Sequence, residues 1–343
     1  MASSLAVAGL LGIIFAVSLV SVFLFLPPFL RYLKRTGKVV DDVHKVPPTK
    51  VPFPAGPALF LSLLLGEVIA FFSFGSYAPL AIAGGAAVAF AIGLADDIYV
   101  LGGRTKPLLL LFAAVPFIGF ILVQPDLYQP VLAFPLLGET APHFIIYTAL
   151  AVVAFPIVAN AFNMMDSFNG QISWFSVVTS LALLFGAVLH TAFTPGLTWA
   201  KVASTLPLVG VSLGFLAFNR HPSRAFDGDS GSLMLGAVFA GLSVIDGVEV
   251  AAMIAIVPAI LNSFYTLSSV RGFVERRRMS RPTYLGKDGK LYASTDPGAP
   301  STLVRLVLLA GPLSEKELVK AVIYLTIVTC LFSGLLSILT WVL

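Results

Sequence analysis

Three short runs in this very apolar sequence carry clustered carboxylates and amides. They are Asp96-Asp97, the stretch Asn160–Gly170 with Asn160, Asn163, Asp166 and Asn169, and Asp227-Gly228-Asp229. Charged residues are 11% of the chain against 58% hydrophobic, so a shared location for these acids calls for a reason. Ionisable groups at membrane depth are costly and are usually retained for function. Adjacent carboxylates such as Asp96 and Asp97 suit a hard cation or the orientation of a base. Lys106 follows them and can meet a phosphate as a point charge near a helix start, where backbone N–H groups also favour anions. Asn160, Asn163 and Asp166 recur at i, i+3, i+6 and share one face if helical. An Asn offers an amide oxygen to Mg²⁺, or a donor and acceptor pair to a base edge. Asn169-Gly170 marks a turn that can bring backbone amides to a ligand. Asp229 stands before a small-residue helix start, which suits either an N-cap or a metal ligand. Phe226 beside it is a flat apolar surface for stacking on a base, or a packing residue. The simplest common explanation is a metal-dependent site at a membrane surface, acting on a phosphorylated substrate.

The elements that must position these residues are membrane-spanning helices. Mean hydropathy is +0.96 over 343 residues. Apolar runs long enough to cross roughly 30 Å of hydrocarbon recur from end to end. Ten spans are expected, at roughly 4–30, 54–75, 78–97, 106–123, 144–165, 172–190, 201–218, 231–247, 249–270 and 319–343. The alternating ten-residue pattern of a β-barrel is not seen. The fold class is therefore an all-α polytopic membrane protein, with residues 1–343 as a single integral-membrane domain. The first run has no Lys or Arg before Arg31 and reads as a true span rather than a cleaved signal. The one cysteine, Cys330, excludes a disulfide within the chain.

Of the 21 Lys and Arg, all but Lys201 fall in or beside 31–53, 97–106, 219–231 and 271–320. Positive charge marks cytoplasmic loops, which puts both termini on the outer side and all three acidic clusters on the cytoplasmic face. Part of the basic excess can instead answer anionic headgroups. The one large polar segment, 271–318, contains Lys287-Asp288-Gly289-Lys290, a turn signal for a hairpin. The outer segment 124–143 has four prolines and no basic residue, which fits a hairpin or irregular loop. Glu67, inside the second span, is left out of the site.

Ile92–Ile98, Asn160–Gly170 and Ala225–Ser232 resemble the signature segments of the polyprenyl-phosphate N-acetylhexosamine-1-phosphate transferases. Their order, spacing and placement at the ends of ten spans extend the resemblance over nearly the whole chain. Within that superfamily the chain is most similar to the dolichyl-phosphate GlcNAc-1-phosphate transferases of eukaryotes and archaea. The stretch from Asp96 through Lys106, Pro222-Ser223-Arg224 and the long last loop carry that likeness.

The resemblance implies transfer of GlcNAc 1-phosphate from UDP-GlcNAc to dolichyl or another polyprenyl phosphate, releasing UMP, as the first step of N-glycan lipid-linked oligosaccharide synthesis. It implies that Asn163 and Asp229 hold Mg²⁺ (or Mn²⁺), that Lys106 contacts phosphate, and that Asn169 and Phe226 bond and stack on uracil. Asp96 and Asp97 match an acidic pair that positions lipid phosphate and metal, and Asp166 matches a carboxylate of the bacterial branch. His44 and Lys45 become candidates for the lipid phosphate, with a polybasic anchor as the alternative. Arg276, Arg277, Arg278 and Arg281 stand where the family often has an Arg/His cluster, and can clamp a diphosphate bidentately. The missing histidine there argues against the bacterial muramyl-pentapeptide branch. Direct attack by the lipid phosphate is preferred over an aspartyl-phosphate intermediate. The rival readings are the same chemistry with another UDP-sugar or undecaprenyl phosphate, and an ion-coupled transporter, which would place its charges near the midplane in repeated halves. Membrane lipid is an expected partner, nucleic acid is not, and a homodimer is left open.

Overall fold

The computed structural model describes residues 4–45, 47–125, 131–134, 138–141, 143–272 and 279–342. Long apolar helices dominate it, because in lipid a helix satisfies its own backbone groups. Helix α1 (Ser4–Arg35) packs on α2 (Gly56–Phe74) and α8 (Ala200–Asn219). Helix α3 (Ala78–Tyr99) leads to α4 (Thr105–Leu110), which continues through a 3-10 turn, Leu111–Ala114, into α5 (Val115–Val123). Helices α6 (Phe144–Met165) and α7 (Gln171–Phe193) follow. Next come α9 (Asp229–Ile245), α10 (Glu249–Ala255), α11 (Val257–Ser269), α12 (Leu303–Leu308) and α13 (Glu315–Trp341).

Among the described residues, eight segments are long and apolar enough to span a membrane. A ninth is counted if α10 and α11, bent by 66°, form one span. The bend has a local cause: Pro258 opens α11 and cannot donate a backbone hydrogen bond back into α10. The tenth expected span, 231–247, is the 17-residue α9. Ten full-length spans are therefore not found. Every residue of α9 from Ser230 to Ile245 is buried, since α3 and α6 pack along it. A helix enclosed by protein need not match the bilayer's thickness.

Close approach to α9 relies on small residues. A Cβ on Gly236 would stand 2.7 Å from the Ala159 Cα, so α6 and α9 meet backbone to backbone there. A Cβ on Gly93 would stand 2.3 Å from the carbonyl oxygen of Asp229. That contact seats the start of α9 against the last turns of α3. Backbone cannot yield as a flexible side chain would, so Gly93→Ala is expected to part the two helices and destabilise the fold by about 1–3 kcal/mol. Thermal-melting measurements on the purified variant check this; a wild-type melting curve would refute the close-packing role.

Among the described residues, three two-stranded antiparallel hairpins complete the fold. The second pairs β3 (Leu132–Phe134) with β4 (Gly138–Thr140), and the third pairs β5 (Thr283–Leu285) with β6 (Leu291–Ala293). Both match the expected turns. The first, β1 (Val39–Asp42) with β2 (Thr49–Pro52), was not anticipated from the loop before α2.

Candidate active site

The end of α3 and the start of α9 meet at one end of the helical bundle, with α4 and α6 bringing one side chain each. Asp96 and Asp97, adjacent in sequence, point to different tasks. Asp97 accepts the N–H of Asp229 at 2.8 Å through Oδ1 and that of Ser230 at 3.0 Å through Oδ2. It satisfies orphan donors at the N-terminus of α9 and complements the positive end of the helix dipole. Asp96 accepts the Leu101 N–H at 2.5 Å, which closes the turn after α3, and its Oδ2 lies 2.6 Å from the Lys106 Nζ. Lys106 bridges onward to Asp229 in a second ion pair. Asn163, from α6, donates to the Asp229 Oδ1 and to the Ser232 Oγ, both at 2.9 Å.

Asp96, Lys106, Asn163 and Asp229 thus form one connected group drawn from four helices. Asp229 keeps 24% side-chain exposure, so the group is open to a ligand. Its chemistry suits a hard divalent cation. Carboxylates of Asp96, Asp97 and Asp229 outnumber the one ammonium paired with them, and a half-turn of the Asn163 amide would direct its oxygen at Asp229. Asp97 is already committed to two backbone amides. Asp97→Asn should cost the fold about 1–2 kcal/mol, because one oxygen becomes a donor facing a donor. A lowered melting temperature is the expected result; an unchanged melting curve would refute the capping role.

A second polar node lies beside the first. The Asn169 amide is buried and engaged on both sides, donating to the Asp42 Oδ2 at 3.1 Å and accepting the Ser223 N–H at 2.7 Å. Its own N–H donates to the Glu315 Oε1 at 2.9 Å. Glu315 also pairs with Lys45 and lies 3.3 Å from the His221 Nε2. Lys45 lies 3.3 Å from Asp42, and the His44 ring packs on Phe168 with centroids 4.5 Å apart. Asp42, His44 and Glu315 bring possible ligand atoms within 4.8 Å of one another, and the Lys45 ammonium bridges the two carboxylates there as Lys106 bridges Asp96 and Asp229. Burial pushes both His44 and His221 below the usual 6.5, against the opposing pull of Glu315, so both imidazoles are held toward the neutral form. Arg281 is near enough to His44 to act on it electrostatically.

The remaining expected residues divide. Asn160 turns its amide back to the Pro156 carbonyl at 2.7 Å and does not join the group, although its spacing placed it on the face of Asn163. Asp166 caps the end of α6 and is an electrostatic neighbour of Asp227. Phe226 is half-buried, and its backbone joins Pro52 and Ala55. Arg276, Arg277 and Arg278 lie outside the described residues. Sequence reasoning assigned no site role to Asp42, His221 or Glu315, and gave Asp227 a place in the third cluster without a role. The Asp227 carboxyl is fully buried with no hydrogen-bond partner among the described residues, and burial beside Asp166 pushes it well above the ordinary carboxylate range.

Residues 79–247 match the family described as glycosyl transferase family 4. That range contains the Asp96–Lys106–Asn163–Asp229 group and excludes His44, Lys45 and the last loop. Over 278 residues the chain is 31% identical to a Methanocaldococcus jannaschii protein named as a glycosyltransferase, covering 81% of each. It is 24% identical over 267 residues to the UDP-N-acetylglucosamine–dolichyl-phosphate N-acetylglucosaminephosphotransferase of Dictyostelium discoideum, covering 72% of this chain and 63% of that one. A phospho-N-acetylmuramoyl-pentapeptide-transferase of Wolinella succinogenes is 27% identical over 265 residues, covering 68% of this chain and 72% of that one.

Proposed function

Because this chain belongs to glycosyl transferase family 4, we propose that it transfers GlcNAc 1-phosphate from UDP-GlcNAc to a polyprenyl phosphate of the dolichyl type. The products are lipid-diphospho-GlcNAc and UMP. The observation that carries this reading is the convergence of Asp96, Lys106, Asn163 and Asp229 at one face of a helical membrane bundle. Relatives named for transfer to dolichyl phosphate support the acceptor class, and one named for undecaprenyl phosphate shares the chemistry.

In this reading an oxygen of the lipid phosphate attacks the β-phosphorus of UDP-GlcNAc. A new P–O bond forms as the bond to the bridging oxygen breaks, and the electron pair leaves with UMP. The acceptor is already anionic near neutral pH, so little base assistance is needed. The obstacle is the mutual repulsion of two anions. Asp229 and Asn163 would hold Mg²⁺, or Mn²⁺ on the same oxygen donors, which supplies charge neutralisation at the diphosphate. Lys106 meets a phosphate oxygen, and Asp96 fixes where its ammonium stands. Asp97 orients the start of α9 and hence Asp229. Asp166, beside Asp227, adds negative charge at the margin of the site. Phe226 offers its ring to uracil. Asn169 is engaged by Asp42 and Ser223, so its contribution to the base is to hold the 223–226 segment in place. Lys45 and His44 face the lipid phosphate, and Arg276, Arg277, Arg278 and Arg281 clamp the diphosphate. The bias of Lys and Arg toward the loops on this side supports a cytoplasmic location for the chemistry.

UMP release from a panel of donors and acceptors tests the proposal. UDP-GlcNAc with dolichyl phosphate and Mg²⁺ should exceed UDP-GalNAc by about ten-fold or more. Release with undecaprenyl but not dolichyl phosphate would move the acceptor assignment, and no release with any pair would overturn the reaction.

A further inference from the structure

Away from the carboxylate group, on the side of α1, the same face holds a cavity of about 320 Å³. Its walls are the end of α1, strand β2 and the loop after α8. Arg31 and Lys34, one turn apart on α1, line it with Lys50 and Arg224. All four are exposed, and none has a salt-bridge partner among the described residues. Asp41 stands opposite Lys50 across the β1–β2 pair, which leaves Arg31, Lys34 and Arg224 as a net positive group round one hollow that favours a polyvalent anion. The floor is apolar. Arg224 lies 5.0 Å above the Phe218 ring and donates to the Ala217 carbonyl at 2.5 Å, which fixes its guanidinium in place. Phe218 in turn meets Phe23, with centroids 5.5 Å apart. Phe23 lies two turns down α1 from Arg31, about 12 Å deeper in the membrane, and is 46% exposed.

We propose that this pocket binds the phosphate headgroup of an anionic phospholipid, with Arg31, Lys34, Lys50 and Arg224 round the phosphate and an acyl chain along Phe23 and Phe218. A continuous column with basic groups at the headgroup level and aromatic surface beneath matches an amphipathic lipid, and a soluble phosphate would use only its upper half. The acceptor lipid is a poorer match, because none of the side chains assigned to the transfer lines the cavity. The pocket's walls also bear on the site. Ser223 gives its N–H to the Asn169 amide, and Phe226 gives its N–H to the Pro52 carbonyl at 3.1 Å. A headgroup bridging Lys50 and Arg224 braces these two segments against each other, so bound lipid stiffens the segment that carries Phe226.

Native mass spectrometry of the purified full chain, exchanged between phosphatidylcholine and phosphatidylglycerol, tests the site. Wild type should retain one phosphatidylglycerol in preference to phosphatidylcholine. The Arg31→Gln/Lys34→Gln double variant should bind it about thirty-fold more weakly, as expected for the loss of two headgroup charges. Lys320→Gln, which removes an exposed charge outside the cavity, should bind like wild type. Equal melting temperatures of the variants in pure phosphatidylcholine show that folding is intact. Wild-type retention by the double variant would overturn the proposal. So would displacement by millimolar glycerol 1-phosphate, which marks a free-phosphate site, or retention of dolichyl phosphate alone, which marks the acceptor's site.

Discussion

Asp229→Asn is expected to lower UMP release by about a thousand-fold while the protein still elutes as a folded species with a near-native melting temperature. The substitution keeps the shape of the side chain and removes its charge. Asp229 contacts Lys106 and Asn163 at once, so the charge it loses is the one that both the proposed metal and the ammonium answer to. Removing a single preorganised electrostatic contact from a transfer site costs about 10²–10³ in rate, and a metal ligand sits at the upper end. The fold should tolerate it, because the side chain is part-exposed and Lys106 keeps its 2.6 Å pair with Asp96. Full activity in this variant, or in Asn163→Ala, would remove that residue from the metal assignment.

Lys106→Ala should lower kcat/KM by about a hundred-fold and weaken UDP-GlcNAc binding by about ten-fold in calorimetry. The lysine is the cation that sits between Asp96 and Asp229, and without it their carboxylates face each other uncompensated. A divalent ion then has more to neutralise. Added Mg²⁺ should therefore raise the melting temperature of the variant more than that of wild type, by the mass-action linkage of binding to folding. The two readouts separate roles. Unchanged calorimetric affinity would count against phosphate contact, and an unchanged Mg²⁺ response would count against a shared cation site.

The residues that became the site were legible because their types are improbable where they stand. Asp96, Asn163 and Asp229 interrupt strongly apolar runs near helix ends, and membrane sidedness alone puts them on one face. Their roles were less legible. Asp96 and Asp97 differ by about 100° around one helix, and which of them meets α9 depends on where α9 arrives, which no local pattern encodes. Asn160 shows the converse. Its spacing placed it with Asn163, yet its amide closes on its own helix at Pro156. The node of Asp42, Asn169 and Glu315 was hidden for a different reason, since its members are far apart in sequence and Glu315 reads as an ordinary acidic residue in a first helical turn. In the fold, hydropathy located the spans. It could not show that α9 is wrapped by its neighbours and can be short, nor that the 249–270 run breaks at Pro258.

The proposed transfer depends on a single divalent-ion site between the ends of α3 and α6 and the start of α9. Mn²⁺ titration of the purified protein, followed by electron paramagnetic resonance, measures it without turnover. One bound Mn²⁺ that Mg²⁺ displaces is expected in wild type and in Asp97→Asn, and its loss is expected in Asp229→Asn. Equal Mn²⁺ binding by wild type and Asp229→Asn would contradict the account.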